Sequence, residues 1–582
     1  MITQQDRLLE FISPLGQDAL VLTHCKGGET LSSGCGLELD LKLFGGRQTL
    51  FHGFKFELAL FSEKTDINSA DILGKAVSVK IKDTEETPRF FNGIVKTFKS
   101  STIDHNNHRQ YQIELVPWFD ALKLTSDCKV FQNQTVPQIF TSVCKQVGFS
   151  DFDISKLSKT CTLKDYCVQY NETMYDFLNR ILEEEGIFYY YQHTEQSHIL
   201  TLADSSASLP KTANPVVCTN SNRGAQHLSH WTHDAAFSSS AVTMAGFNFE
   251  APSAPIVGTA TSKTTPPTVG TQSAFERYQY NCAIQQGPVA SQLATQKLGV
   301  LTWLANLIHA DGNYTQMTPG NQFSLTDHDD TNETGDYVVV AVEHDAEDTT
   351  QRHGKESSHS YKNKVTCISS DIPFVPVIRT AKPVLTGLQS AVVVGATGQE
   401  IYTDEYARVK VQFHWDRYGK LDENSSCWLR VGQLWSGDQW GSQFIPRVGD
   451  EVVVGFLGGD IDQPIIVGSV YNASNREPYE LPANANMSGI KTRIKDSLTG
   501  HEFSFDDTSG AQKISLHSEG DLVSDIKNDS TRIVAGNEQM NVVGDTLIQV
   551  LDGNTTIKAK EIQLIAGGNK VVINDSGILI SQ

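Results

Sequence analysis

The chain of 582 residues has no uninterrupted apolar run of about 18 residues, which excludes a membrane-spanning helix. Its 47 Lys+Arg stand against 68 Asp+Glu, a formal net charge of −21. Without a basic excess there is little to displace counterions from a nucleic acid, or to hold the chain on an anionic lipid surface. The opening MITQQDRLLEFIS has no basic region followed by an apolar stretch, so no signal peptide is expected. The ten cysteines fall at irregular spacings with no CxxC pair, and read as small buried hydrophobes rather than a disulfide framework or zinc site. GxSxG, HExxH and phosphate-cradling glycine loops are all missing.

What is present is a mainly β chain, too long for one core and therefore expected as several units. Two stretches carry helical periodicity. In 135–149, Val136, Ile139, Phe140, Val143 and Val147 share a face, with Thr135 as cap and Pro137 in the first turn. In 171–191, Met174, Phe177, Leu178, Ile181 and Leu182 do the same, and Gly186 stops the helix. Most other segments to about residue 380 read as strands, except the Ser/Thr/Pro/Gly-rich 252–273, which reads as an exposed loop. From 381 to 475 the pattern is all-β. ARVKVQFHW alternates Val409, Val411, Phe413 and Trp415 with polar residues, and four tryptophans (415, 428, 435, 440) fall close together. Short strands with frequent turns fit a five-stranded barrel of the OB type.

The end of the chain repeats every eight residues. Ser518, Ile526, Val534, Val542 and Val550 form one column, and Gly520, Asn528, Gly536, Gly544 and Asp552 form another, followed by Asp, Asn or Gly. Each octad is expected to make one short strand, with the glycine–aspartate pair turning the corner through positive φ. The corners are Gly520, Gly536, Gly544 and Gly553. Eight residues cover only one face of a prism, and one-chain solenoids use about 20 or more per turn. Two further chains must supply the other faces, so the period predicts a homotrimeric, intertwined triple-stranded β-helix. Its core is expected to hold Ile526, Val534, Val542, Val550, Ile562, Leu564, Val571 and Ile573. The prism is expected to run to the C-terminus, where Ile578 and Ile580 would meet a capping partner.

Four sets of residues invite a chemical reading and are answered by blander ones. Glu183, Glu184 and Glu185 end an amphipathic helix and are expected to be solvated. His227, His230 and His233 have a metal-like spacing that shares a face only on a helix, and their surroundings favour strand or loop. Asp460 and Asp462 in GGDIDQP read as a polar turn. The tryptophans read as barrel core and packing between protomers rather than a ligand-stacking platform. No catalytic, cofactor or metal residue is expected.

Several segments resemble the VgrG family, the valine–glycine repeat spike of the bacterial type VI secretion system. They are FQNQTVPQIF, VQYNETMYDFLNRILEEEGIFYYY, TPGNQFSL, RVKVQFHWDRYGK, LWSGDQWGSQFIPRVGDEVVVGFLGGDIDQPIIVGSVYN and SGIKTRIKDSLTGHEFSFDD. The resemblance implies a phage-hub-like β-barrel base with accessory helices (1–380), an OB-fold neck (381–475), a linker (476–489) and a trimeric needle (490–582). It implies three partners: the hexameric tube protein Hcp beneath the hub, a PAAR-repeat protein on the tip, and cargo effectors. It also implies assembly in the cytoplasm and export without a signal peptide. Ala407 departs from the pattern, which has glycine there. With so few residues between the expected neck and needle, and so few after the needle, no attached enzyme is expected. The alternatives are a phage- or prophage-type tail spike or glycan-binding module without a secretion role, and a hub that hides an enzymatic activity.

Overall fold

The computed structural model describes all residues except 1–2, 6, 33–52, 83–86, 104–106, 220–225, 263–274, 350–358 and 582. It divides into two compact units, Met1–Ala485 and Asn486–Gln582.

In the first unit a 12-stranded sheet runs from Leu9–Ile12 at one edge to Leu228–Ala235 at the other. Its long central strands are Val21–Thr30, Gly335–Asp348 and His359–Ser369. Two helices pack on its aromatic core. The first, α1 (Val136–Gln146), starts at Thr135, whose backbone N–H donates to Gln138 Oε1 at 2.9 Å. The second, α2 (Met174–Glu185), is capped by the Thr173 hydroxyl, which accepts from Asp176 N at 3.0 Å. It ends at Gly186 with φ 77°. Every apolar residue assigned to the α2 face is buried; on α1 the buried face is Val136, Ile139, Phe140 and Val143, with Val147 at the C-cap.

Two features differ from the sequence reading. Residues Ile256–Thr261, inside the stretch expected as a loop, form a strand paired with Ala241–Gly246, and 263–273 of that stretch lie outside the described residues. This strand is covered by a third helix, α3 (Gly287–Leu304). The apolar content of α3 is spread around its surface, so no single stripe marked it.

Residues 389–470 form a five-stranded sheet in the order Lys410–Phe413, Gln389–Val394, Glu451–Phe456, Pro464–Val470, Arg430–Val431. The outer members are joined by reciprocal bonds between Val409 and Leu429 (3.0 and 2.8 Å), which close the barrel. Its core is built on Ala391, Val393, Val409, Val411, Phe413, Leu429, Val452, Val454 and Ile466. Just before the first core strand, Ala407 sits at φ 57°, the left-handed region that favours glycine.

The second unit has a three-stranded antiparallel meander at each end: Met487–Lys491, Glu502–Asp506 and Lys513–His517, then Ile562–Ala566, Asn569–Asn574 and Gly577–Ser581. Residues 487–489, expected in the linker, thus belong to a strand. From 562 on, where the prism is expected to continue although the period of eight is already broken, the tail pairs into hairpins within its own chain. Gly567–Gly568 form the two-residue turn between Ile562–Ala566 and Asn569–Asn574, with Gly567 at φ 58°.

Candidate functional site

Residues 518–561, between the two meanders, are extended and carry no strand pairing within the chain. The backbone bends at 519–520, 527–528, 535–536, 543–544 and 551–553, a spacing of eight residues throughout. Gly520, Gly536, Gly544 and Gly553 all fall on these bends. The expected mechanism of turning holds for only one of them: Gly553 has φ 141°, while Gly520, Gly536 and Gly544 have no positive φ. A Cβ at those three would meet nothing within the chain. Neither a positive φ nor a close contact within the chain requires glycine at these three positions.

Each of Ile526, Val534, Val542 and Val550 immediately precedes a bend. Ile526, Val534, Val542 and Val550 are 43–52% exposed, whereas every other exposed large apolar residue between 522 and 557 is at least 68% exposed. Backbone groups without a ladder thus run beside a row of half-covered aliphatics.

In the C-terminal meander, Ile562 pairs with Ile573 and Ile573 with Ile578; Leu564 pairs with Val571 and Val571 with Ile580. All six residues thus lie on one face. Ile578 and Ile580, assigned to a tip contact, share that face with Ile562, Leu564, Val571 and Ile573, assigned to the core. Leu564, Ile573, Ile578 and Ile580 are exposed in the single chain.

The residues flagged for chemistry all have structural partners. His230 Nδ1 lies 3.6 Å from Asp311, and His233 Nδ1 lies 3.4 Å from Glu333, each histidine facing a different carboxylate. The His227 backbone N–H donates to Asn313 Oδ1 at 2.8 Å. No group of three or more His, Cys, Asp or Glu is placed to hold a metal among the described residues. Cys35 lies outside the described residues; the other nine cysteines are free thiols, five of them buried. The three glutamates of α2 are not solvated. Glu183 is buried and accepts from Arg379 N, Thr380 N (both 2.9 Å) and the Thr380 hydroxyl (3.0 Å). Glu184 lies 3.5 Å from the buried Arg180, and Glu185 is mostly buried, which pushes its carboxyl up from the usual range. The chain after the hub folds back over this helix end, so a solvent position became a buried one.

Asp460 and Asp462 sit in a turn, and that turn is a joint. Lys382 Nζ lies 2.6 Å from Asp460 Oδ1 and 2.7 Å from Asp462 Oδ2, and Asp462 Oδ1 accepts from Val168 N at 2.8 Å. Burial works against the Lys382 charge, but Asp462, Glu184 and Asp460 outweigh it and hold the ammonium above the ordinary lysine range. Two further contacts tie barrel to hub. Arg417 reaches Asp127 at 2.8 Å, with the Tyr418 hydroxyl donating to the same carboxylate at 2.6 Å. The Phe249 ring has Arg408 and Arg430 over it, at 5.2 and 4.9 Å from its centroid. Lys382 and Phe249 carried no signal in the sequence, because each acts only with residues far along the chain.

The tryptophans divide. Trp415 packs on the barrel core and donates to Gln389 Oε1 at 2.9 Å; Trp428 stacks on Tyr402 at 5.0 Å. Trp435 and Trp440 stand out of the barrel on a short hairpin, edge to face at 4.8 Å.

Comparison with known proteins places this architecture. The phage tail baseplate hub family matches residues 47–350, and the type VI secretion system/phage-baseplate injector OB domain matches 391–471. The chain is 34% identical over 614 residues to the type VI secretion system spike protein VgrG1a of Pseudomonas aeruginosa, covering 99% of this chain and 91% of that protein. It is 34% identical over 542 residues to VgrG1b of the same organism, covering 92% and 70%. Among solved structures, a type VI secretion component of E. coli, c3393, superposes with a TM-score of 0.54 at 16% identity, over 79% of this chain and 99% of that one. It is described as structurally similar to the T4 bacteriophage tail proteins gp27 and gp5.

Proposed function

The chain belongs to the VgrG family of type VI secretion system spike proteins, and on that premise we propose that it acts as a homotrimer whose work is mechanical. Three copies supply the three faces of a prism at 518–561, with Ile526, Val534, Val542 and Val550 on its axis. The observation that carries this is the run itself: extended, bent every eight residues, and without a strand partner in its own chain. An interlocked rod resists axial load because failure requires many inter-strand bonds to break together. The hub base seats on the hexameric tube protein Hcp, and the spike enters the target envelope ahead of the tube. The aliphatic face containing Ile578 and Ile580 receives a PAAR-repeat tip protein, and effectors travel as cargo. The trimer assembles in the cytoplasm and leaves through the secretion apparatus.

No enzymatic step is assigned to this chain. Its hub, barrel and extended run are accounted for by packing and assembly, and VgrG1a and VgrG1b are named as spike proteins.

The test is secretion from a strain in which this is the sole spike gene. Deletion is expected to abolish release of the tube protein into the medium, and re-expression to restore it together with the spike. Normal release after deletion would contradict the proposal.

A further inference from the structure

The barrel strands differ in how they use their two faces. Lys410–Phe413 alternates, with Val411 and Phe413 inside and Lys410 and Gln412 outside, as expected for a wall facing water. The neighbouring strands Gln389–Val394, Glu451–Phe456 and Pro464–Val470 do not: QSAVVV, EVVVGF and PIIVGSV are apolar on both faces. The core takes Ala391, Val393, Val452, Val454 and Ile466. Val392, Val453 and Val467 are left on the outer wall. There the side chains of Leu388 and Val467, both exposed, meet over Gly455, 3.5 and 3.6 Å from where its Cβ would be. Strands with continuous apolar runs are those covered on both sides, yet on this wall Leu388 and Val467 stay exposed in the single chain beside the half-buried Val392 and Val453.

The same barrel carries a second apolar feature. On its projecting hairpin Leu434 is 91% and Trp435 65% exposed, and Trp440 and Phe444 are exposed beside them. The hairpin is held in place. Ser442 N donates to Trp435 O at 2.8 Å and Phe444 N to Gln433 Oε1 at 2.9 Å, and a Cβ on Gly437 would drive into the Trp440 ring. Two fixed indoles displayed to solvent are the composition of an interface anchor.

We propose that the Leu434–Phe444 hairpin of each protomer seats on the Leu388–Val453–Val467 wall of the next, so that three necks close into a ring. The occupant is a second copy of this chain. A three-fold ring needs two different complementary patches on each subunit, and the neck has a protruding one and a flat one. The needle segment that follows in the chain draws three necks together, so the inference rests on the trimer proposed above.

The test uses the full-length chain with the photo-cross-linker p-benzoyl-phenylalanine at position 435. Irradiation is expected to give inter-chain adducts, with the linked peptide carrying 388–392 or 465–470. Leu388→Glu, which leaves the barrel core untouched, is expected to cut the adduct yield at least tenfold. Adducts landing in the hub or needle, or a yield unchanged by Leu388→Glu, while light scattering still gives a trimer, would overturn the neck clasp and leave the needle trimer standing. A monomer without adducts would overturn both.

Discussion

The Lys382 ammonium lies 2.7 Å from the Asp462 carboxylate, and this pair joins two parts of the chain that sequence order keeps apart. Lys382 belongs to the segment leaving the hub, while Asp462 lies in a barrel turn and also accepts from Val168 beside α2. Removing the cation leaves Asp460 and Asp462 together without their counter-charge. Lys382→Met is expected to destabilise Met1–Ala485 by about 3 kcal/mol. Urea denaturation checks this, and a loss under about 0.5 kcal/mol would mean the joint carries no weight.

Ala407 occupies a left-handed backbone position at φ 57°. A residue with a Cβ costs roughly 1 kcal/mol more than glycine in that region. Ala407→Gly is therefore expected to raise barrel stability by about 0.5–1 kcal/mol, read as a small upward shift in melting temperature. A decrease would show that neighbouring contacts relieve the strain.

Acid should weaken the hub. Burial lowers His198 to about 3; its Nε2 accepts from Trp118 N at 2.9 Å and its Nδ1 lies 2.8 Å from Asn92 Oδ1, an arrangement that suits the neutral ring. Burial also lowers His344, against the pull of Glu29. The unfolded chain takes up these protons below about pH 6.5 and the folded chain does not, so stability falls as pH falls, by ~1.4 kcal/mol per pH unit for each such ring. Glu29 adds to this at lower pH. Burial works to raise its carboxyl, but Arg89 at 2.7 Å and the rings of His193 and His344 hold it well below the usual range, so its contribution is lost as the medium drops below about pH 4.5. Denaturation between pH 7.5 and 5 should show the slope, and His198→Gln should flatten it; equal slopes would contradict the assignment.

Val542→Asp places three carboxylates together on the axis of the proposed prism. Burying them costs several kcal/mol or forces their protonation. The variant is expected to lose trimer at neutral pH, whereas Val543→Asp, in the neighbouring column where the native valine is fully exposed in the single chain, should be milder. Equal behaviour of the two would remove Val542 from the axis.

Local chemistry was legible in the sequence. The caps at Thr135 and Thr173 and the stop at Gly186 stand where residue pattern put them, and the backbone bends from 519 to 553 keep the eight-residue spacing of the sequence. The glycine at Ala407 that the family pattern leads one to expect has a reason in its φ. What the sequence hid depends on distant chain. Glu183 looked solvated until Arg379 and Thr380 closed over it, and Asp462 looked like turn polarity until Lys382 arrived. The strand Ile256–Thr261 was masked by loop-like composition, and its partner α3 by apolar residues on every side. At Gly520, Gly536 and Gly544 the sequence expectation of positive φ fails, and an added Cβ would meet nothing within 4 Å in the chain.

Everything proposed for the needle depends on three chains closing around residues 518–561. Multi-angle light scattering of the full-length protein, beside the fragment 1–485, tests this most directly. The full-length chain of 64.1 kDa is expected at about 192 kDa, three times its own mass, across a tenfold dilution. The fragment is expected to associate more weakly. A full-length particle that stays near 64.1 kDa would contradict the prism, the spike trimer and the neck ring together.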